Sequence, residues 1–123
     1  MVQVRLPDII CDTGFLIHMA SGRIQDSGYV IGSVTYLVPD VVISELNGLM
    51  NNPGKYHDAV GALRLADSMQ HIQLGKKYAD QALLDYVKVH GGIVATTDRQ
   101  LKRAIKAAGR SVISLHNNNI ILE

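Results

Sequence analysis

Short apolar or β-branched runs alternate with amphipathic stretches of helix length from one end of this chain to the other. Ile9-Ile10-Cys11, Thr35 to Val38, Ile72-Gln73-Leu74, Ile93 to Thr96 and Ser111 to Leu115 read as strands. Thr13 to Ala20, Val41 to Met50, His57 to Gln70, Tyr78 to His90 and Asp98 to Ala108 read as helices. Asp40 is placed to cap the second helix, Gly91-Gly92 to end the fourth and Gly109 to end the fifth. Asn51-Asn52-Pro53-Gly54 is a loop, and Asn117-Asn118-Asn119 is a turn into an apolar stub, Ile120 to Leu122. Ile24 to Gly32 fits neither pattern, with Gly28 weakening any helix. Strands separated by helices need crossover connections, which produce a mainly parallel sheet buried on both faces. The expectation is a three-layer α/β/α arrangement around five strands, in a single domain spanning residues 1–123.

Composition supports a packed domain and removes several functions. Apolar residues make up 47% of 123, and a chain of this size buries roughly two-thirds of its unfolded surface without a staple. One cysteine, Cys11, excludes an internal disulfide framework or a multi-Cys zinc site, and its strand context reads as a core thiol. The segment before Ile10 carries Arg5, Pro7 and Asp8 and lacks the apolar run of a secretory leader, so a cytoplasmic location is expected. No apolar stretch approaches the roughly 18 residues of a spanning helix, so no membrane role is expected. The absence of Trp and the single Phe argue against a base-stacking platform.

In parallel α/β sheets, ligands sit beyond the carboxyl ends of the strands. Asp12 stands after the first strand and Thr96-Thr97-Asp98 after the fourth. Each Asp is also a natural helix N-cap. Glu45 is flanked at helical spacing by Val42 and Leu49, inside an apolar stripe that includes Leu46. A carboxylate facing a core is costly, so Glu45 needs a partner, a cation, a cleft or an edge open to solvent. Asp80 lies in the first turn of its helix, where it suits the dipole, and on the apolar side, whereas Asp85 falls on the wet side. Four carboxylates converging at one end of a sheet would raise one another's pKa values. A hard divalent cation, Mg²⁺ or Mn²⁺, resolves that repulsion with oxygen ligands alone. Thr13, Thr96 and Thr97 add hydroxyls that orient a carboxylate or a metal-bound water, or simply cap and extend local structure. The five histidines have no metal-site spacing.

These segments resemble those of PIN-domain nucleases. The likeness runs through Asp12 in Ile-Ile-Cys-Asp-Thr-Gly-Phe-Leu-Ile and Glu45 in Pro-Asp-Val-Val-Ile-Ser-Glu-Leu-Asn-Gly-Leu. It continues through Asp80 in Tyr-Ala-Asp-Gln-Ala-Leu-Leu and Asp98 in Ile-Val-Ala-Thr-Thr-Asp-Arg-Gln-Leu-Lys-Arg, and covers essentially the whole chain. Three positions depart from the pattern. Gly14 stands where Asn or Ser is frequent, Thr97 where many relatives carry Asn, and Gln81 where many carry a second acid. The chain is most similar to archaeal single-domain PIN proteins related to the small-subunit rRNA-processing nuclease. Toxin ribonucleases of toxin–antitoxin pairs are the near alternative, and a non-catalytic RNA-binding or assembly domain is a further one. A phosphoacceptor signalling domain expects paired acids at the first strand and a Lys after the last; Cys11-Asp12 and His116 do not fit. A haloacid-type phosphatase expects an Asp where Gly14 stands.

The resemblance implies divalent-metal-dependent endonucleolytic cleavage of RNA, possible pre-rRNA included. Asp12, Asp80 and Asp98 would hold one or two metal ions, with Glu45 a direct or water-mediated ligand or a general base. The implied partners are RNA, a second copy of the chain, or an antitoxin protein. Binding RNA needs positive charge beside the acids. Arg99, Lys102, Arg103 and Lys106 share one face of the last helix, opposite Leu101, Ala104, Ile105 and Ala108, as an RNA-binding surface or an ordinary solvated one. Lys76 and Lys77 extend that expected surface. Residues 99–110 hold five bases and no acid, so the net charge of +1 conceals a segregation along the chain.

Overall fold

The computed structural model describes residues 8–22, 35–75, 78–116 and 119–123. The ambiguous stretch Ile24 to Gly32, Lys76 and Lys77, and the middle of the Asn117 turn lie outside them. The elements run β1 (Ile9–Cys11), α1 (Thr13–Ala20), β2 (Tyr36–Pro39), α2 (Asp40–Leu49), α3 (Tyr56–Ala66) and β3 (Gln70–Ile72). They continue with α4 (Ala79–His90), β4 (Ile93–Ala95), α5 (Arg99–Ala107), β5 (Ser111–His116) and β6 (Asn119–Leu122). No helix among the described residues is long and apolar enough to cross a membrane.

The sheet has the order β3-β2-β1-β4-β5-β6 and is parallel except for β6. It is therefore six-stranded rather than five. The apolar stub after the Asn turn folds back antiparallel on β5, pairing Ile113 with Leu122 and Leu115 with Ile120. Ile120 is buried by this pairing, whereas Ile121 and Leu122 stay exposed. A run so short carries no periodicity of its own; the free edge of β5 supplies its partner.

Alternation along each strand explains the two apolar layers. Ile9 and Cys11 of β1, Val38 of β2 and Ala95 of β4 pack with Phe15, Leu16, Val42 and Leu46 on the α1–α2–α3 face. Ile10, Leu37, Val94 and Val112 point the other way, against Leu83, Val87, Leu101 and Ile105 of α4 and α5. A period of two residues sends neighbouring side chains to opposite faces, so strands this short need apolar residues throughout. Helix α4 belongs to both layers: Ala79 and Ala82 of its first turn join the first core, and Leu83 and Val87 the second. That path carries its N-terminus, and Asp80 with it, across the carboxyl ends of the strands.

The third strand lies two residues earlier than its apolar pattern suggested, and α3 is correspondingly shorter. Its partner β2 stops at Pro39, opposite Ile72. Beyond that point Asp40 replaces the ladder, its carboxylate accepting the Leu74 N–H at 2.9 Å and the Val41 N–H at 3.0 Å. These backbone donors, Leu74 foremost, hold the Asp40 carboxyl below its ordinary range. Asp40 is thus the first helical residue, with Pro39 in the cap position.

Entry into β4 is set by Gly92, whose φ is +96°. A Cβ there would lie 3.1 Å from the Asp8 carbonyl oxygen, the atom that accepts the Ile93 N–H at 2.9 Å. Gly92→Ala is expected to destabilise the fold by about 1–3 kcal/mol, because it adds a left-handed backbone cost to this close approach. Urea unfolding measures the loss, which would fall to a few tenths of a kcal/mol if residue 92 were free to relax.

Candidate active site

The strand order reverses direction between β1 and β4, because the chain builds outward through β2 on one side and β5 on the other. Such a switch point opens a crevice at the carboxyl ends of the two central strands. Asp12 leaves β1 and Thr96-Thr97-Asp98 leave β4 at this crevice.

Asp12 is only 6% exposed. Its Oδ1 accepts the Phe15 N–H at 2.7 Å, capping α1, and its Oδ2 accepts the Thr96 hydroxyl. The Thr97 backbone N–H also donates to it. Burial nevertheless dominates and pushes its pKa from the ordinary 3.8 up to about 6. The Thr96, Phe15 and Thr97 donors oppose that rise, and the charge of Asp80 adds to it. The capping role expected from sequence is real, and it coexists with a carboxylate under strain of charge.

Thr96, 1% exposed, links two of the acids. Its hydroxyl donates to Asp12 and accepts the Asp98 N–H at 3.0 Å. Asp98 in turn caps α5, its Oδ1 accepting the N–H groups of Gln100 at 2.8 Å and Leu101 at 3.0 Å. Its Oδ2 takes no hydrogen bond from the described residues. Thr13 donates its hydroxyl to Glu45 Oε2 at 2.7 Å, tying the start of α1 to α2.

Glu45 takes one of the settings its sequence left open, an edge exposed to solvent. The buried residues of α2 are Val41, Val42 and Leu46, and Glu45 is exposed. Leu49 packs partly buried against the first core with Val42 and Leu46, and Glu45 stands at the exposed edge of that stripe. Asp80 is exposed as well, yet its carboxyl is raised, first by partial burial and then by the charges of Asp98 and Glu45. Asp12 senses Asp80, and Asp80 senses Asp98 and Glu45. Residues from four separate segments therefore share one negative field. Among the described residues, none of the four is in an ion pair.

The donor set is all oxygen and wholly anionic, which fits a hard divalent cation. Among the described residues, however, no three acidic, histidine or cysteine side chains stand close enough to close a metal shell as they are placed. Asp12 is locked by its hydrogen bonds, while Glu45, Asp80 and Asp98 reach the crevice from exposed positions. The residues fit such an ion in chemistry: Asp12, Glu45 and Asp98 are each oriented by hydrogen bonds, and Glu45, Asp80 and Asp98 are open to solvent.

Two departures noted in the sequence prove to be one feature. A Cβ on Gly14 would lie 2.2 Å from Thr97 Oγ1 and 3.9 Å from Asp12 Oδ1. Gly14 is the socket for the Thr97 side chain. Gly14→Ala is expected to drive Thr97 into another χ1 well while changing stability by less than about 1 kcal/mol, since helix propensity gained offsets the rotamer cost. Methyl three-bond couplings report the rotamer; an unchanged Thr97 would mean that the α1 backbone had moved instead.

The basic stripe of α5 is half neutralised. Lys102 pairs with Glu123 Oε2 and Lys106 lies 3.6 Å from Glu123 Oε1. Hydrogen bonds from Lys102 and Ser114, together with the lysine charges, hold the Glu123 carboxyl down at about 2. Arg99 and Arg103 are exposed and, among the described residues, in no ion pair. Beside Arg99 opens a cleft of about 400 Å³, also lined by His18, Thr97, Asp98, Lys102 and His116. Sequence reasoning set both histidines aside for want of a motif; only the position of His18 one turn after Gly14 hinted at this neighbourhood. Cys11 is buried in β1, its thiol pushed far up by burial and by Asp12, which suits a core residue.

A doubly wound α/β sheet with an all-oxygen acidic crevice at its switch point is thus the class that fold and site define. The chain belongs to the PIN-like domain family, whose model, described as "PIN like domain", matches residues 9–118. Members of that family are generally nucleases and typically use divalent metals. Among solved structures, the chain is similar to "a domain of a functionally unknown protein from Methanocaldococcus jannaschii DSM 2661". The TM-score is 0.65 at 19% identity, covering 89% of this chain and 91% of that one, a likeness of fold alone. No curated protein matches the chain.

The raised Asp12 pKa has a consequence for stability. A carboxyl that is harder to ionise folded than unfolded favours the fold at low pH and disfavours it as pH rises from about 4 through 6. Metal-free protein should therefore lose roughly 2–3 kcal/mol between pH 4 and pH 7. Asp12→Asn should flatten that slope, and Mn²⁺ at pH 7 should restore stability to the unsubstituted protein alone. Urea unfolding across this range, with and without chelator, is the measurement; a slope surviving Asp12→Asn would place its origin elsewhere.

Proposed function

We propose that this chain is a divalent-metal-dependent endoribonuclease acting in RNA processing, in the manner of rRNA-processing PIN nucleases. The observation that carries the reading is the shared negative field of Asp12, Glu45, Asp80 and Asp98, none of them in an ion pair among the described residues. Asp12, Asp80 and Asp98 would hold Mg²⁺ or Mn²⁺, with Glu45 joining directly or through water. When bound, such an ion supplies Lewis acidity at the scissile phosphate and lowers the pKa of water.

The protein's own groups do the remaining work. Asp12 is held in one orientation by Thr96, Phe15 and Thr97, so it presents a fixed oxygen. Thr96 sets the spacing of Asp12 and Asp98 by bonding both. Glu45, anchored by Thr13, is the exposed carboxylate able to accept a proton from attacking water. Attack by water on phosphorus leaves 5′-phosphate and 3′-hydroxyl ends.

The test is cleavage of an end-labelled structured RNA with Mn²⁺ and with chelator. Asp12→Asn and Asp98→Asn should each lower the rate by on the order of 100-fold or more, and Asp85→Asn should leave it unchanged. One observation favours a second reading, a non-catalytic RNA-binding domain: the carboxylates as placed do not close a three-ligand shell. RNA affinity without cleavage, and no divalent binding by calorimetry, would select it.

A further inference from the structure

Beyond the acidic crevice, the cleft beside Arg99 has no assigned role. We infer that it is a phosphate subsite, holding the phosphodiester of the nucleotide next to the one at the acids. This deepens the reading of the chain as an RNA-cutting enzyme and rests on it.

Three elements build the cleft. His18 comes from α1, Thr97, Asp98, Arg99 and Lys102 from the β4–α5 junction and the start of α5, and His116 from the end of β5. Asp98 belongs to both sites: it shares the negative field of Asp80 and it lines the cleft. A polymer with one phosphate at the acids therefore has its next phosphate directed into, or away from, this space. The lining favours entry. Arg99 offers a guanidinium with five N–H donors, engaged in no ion pair among the described residues. Lys102 is held at the wall by Glu123, which takes one of its three N–H donors. His18 Nδ1 lies 3.1 Å from the Gly14 carbonyl oxygen. A carbonyl only accepts, so Nδ1 carries the proton, which fixes the ring and leaves Nε2 as its remaining polar atom. The α5 N-terminus lies at the same wall, although Asp98 already caps two of its N–H groups. Its contribution is secondary to the side chains.

A carboxylate ligand is less suitable than a phosphodiester. The cleft continues from the place proposed for the scissile phosphate, and the Arg99 guanidinium and the Lys102 ammonium bring N–H donors to one volume.

The experiment uses Asp12→Asn protein, which binds without cutting, and a fluorescein-labelled single-stranded RNA of ten nucleotides, titrated at several salt concentrations. Adding Arg99→Ala should weaken binding about fivefold or more and reduce the log–log salt slope by about 0.7, one phosphate contact on a single strand. Adding Lys102→Ala, at the other cationic donor of the cleft, should likewise weaken binding and lower the slope, with the unfolding midpoint retained. Lys55→Ala, which removes a charge far along the chain in the α3 cap, should change affinity less than about 1.5-fold. Equal losses from Lys55→Ala and Arg99→Ala, or no loss from the cleft variants, overturn the subsite. Failure of the parent to bind the RNA overturns it as well. Cleavage by the unsubstituted chain is scored separately: cutting with indifferent cleft variants sinks the subsite alone, whereas cleft-dependent binding without cutting supports the subsite and sinks the nuclease reading.

Discussion

A charge buried at the end of the central strand is the constraint around which this molecule is arranged. Asp12 follows β1 directly, and continuing the ladder one step to the Ala95 carbonyl, at 2.9 Å, draws its backbone into the sheet. Its carboxylate has almost no access to water, and an ion so placed survives only where hydrogen bonds replace hydration. Three donors do so: the Thr96 hydroxyl, the Phe15 N–H at the head of α1, and the Thr97 N–H. Because Thr96 also receives the Asp98 N–H, the satisfaction of Asp12 and the start of α5 are one hydrogen-bonded unit across two parallel strands.

The other acids aggravate that charge instead of relieving it. Helix α4 packs into both apolar layers, and its first turn brings Asp80 within the field of Asp98 and Glu45. Repulsion among carboxylates at a crevice costs folding free energy, which is relieved by protonation or by a bound cation. The absence of a lysine or arginine paired with any of the four, among the described residues, is consistent with a place kept for such an ion. Meanwhile Glu123 draws Lys102 and Lys106 toward the β6 edge. Arg99, in no ion pair among the described residues, lines the same cleft as Lys102 and Asp98.

Close approach is the second device. Gly14 has no side chain, and the Thr97 hydroxyl occupies the space where one would be. The head of α1 and the β4–α5 turn can therefore meet directly over Asp12. The residues at 14 and 97, two departures that looked independent along the chain, are therefore in direct contact, and a side chain at 14 has to displace the Thr97 hydroxyl.

Alternation of apolar runs and amphipathic stretches was enough to order the elements through β5, to make the sheet mainly parallel, and to put Asp12 and Asp98 at its carboxyl edge. Those properties follow from local periodicity and capping chemistry, which act between residues a few positions apart. Other properties depended on partners distant in sequence. The sixth strand exists because β5 has a free edge. The third strand ends at Ile72 because its parallel partner β2 ends opposite it, at Pro39. Which of the settings open to Glu45 is taken, an exposed edge of the α2 stripe, is decided by what packs on that stripe. Two of four basic side chains are spent on Glu123, and two unremarkable histidines come to line a cleft. Sequence pattern states what each segment is able to bury; only the tertiary structure decides which edges and charges meet, because burial is a property of a face and pairing a property of two.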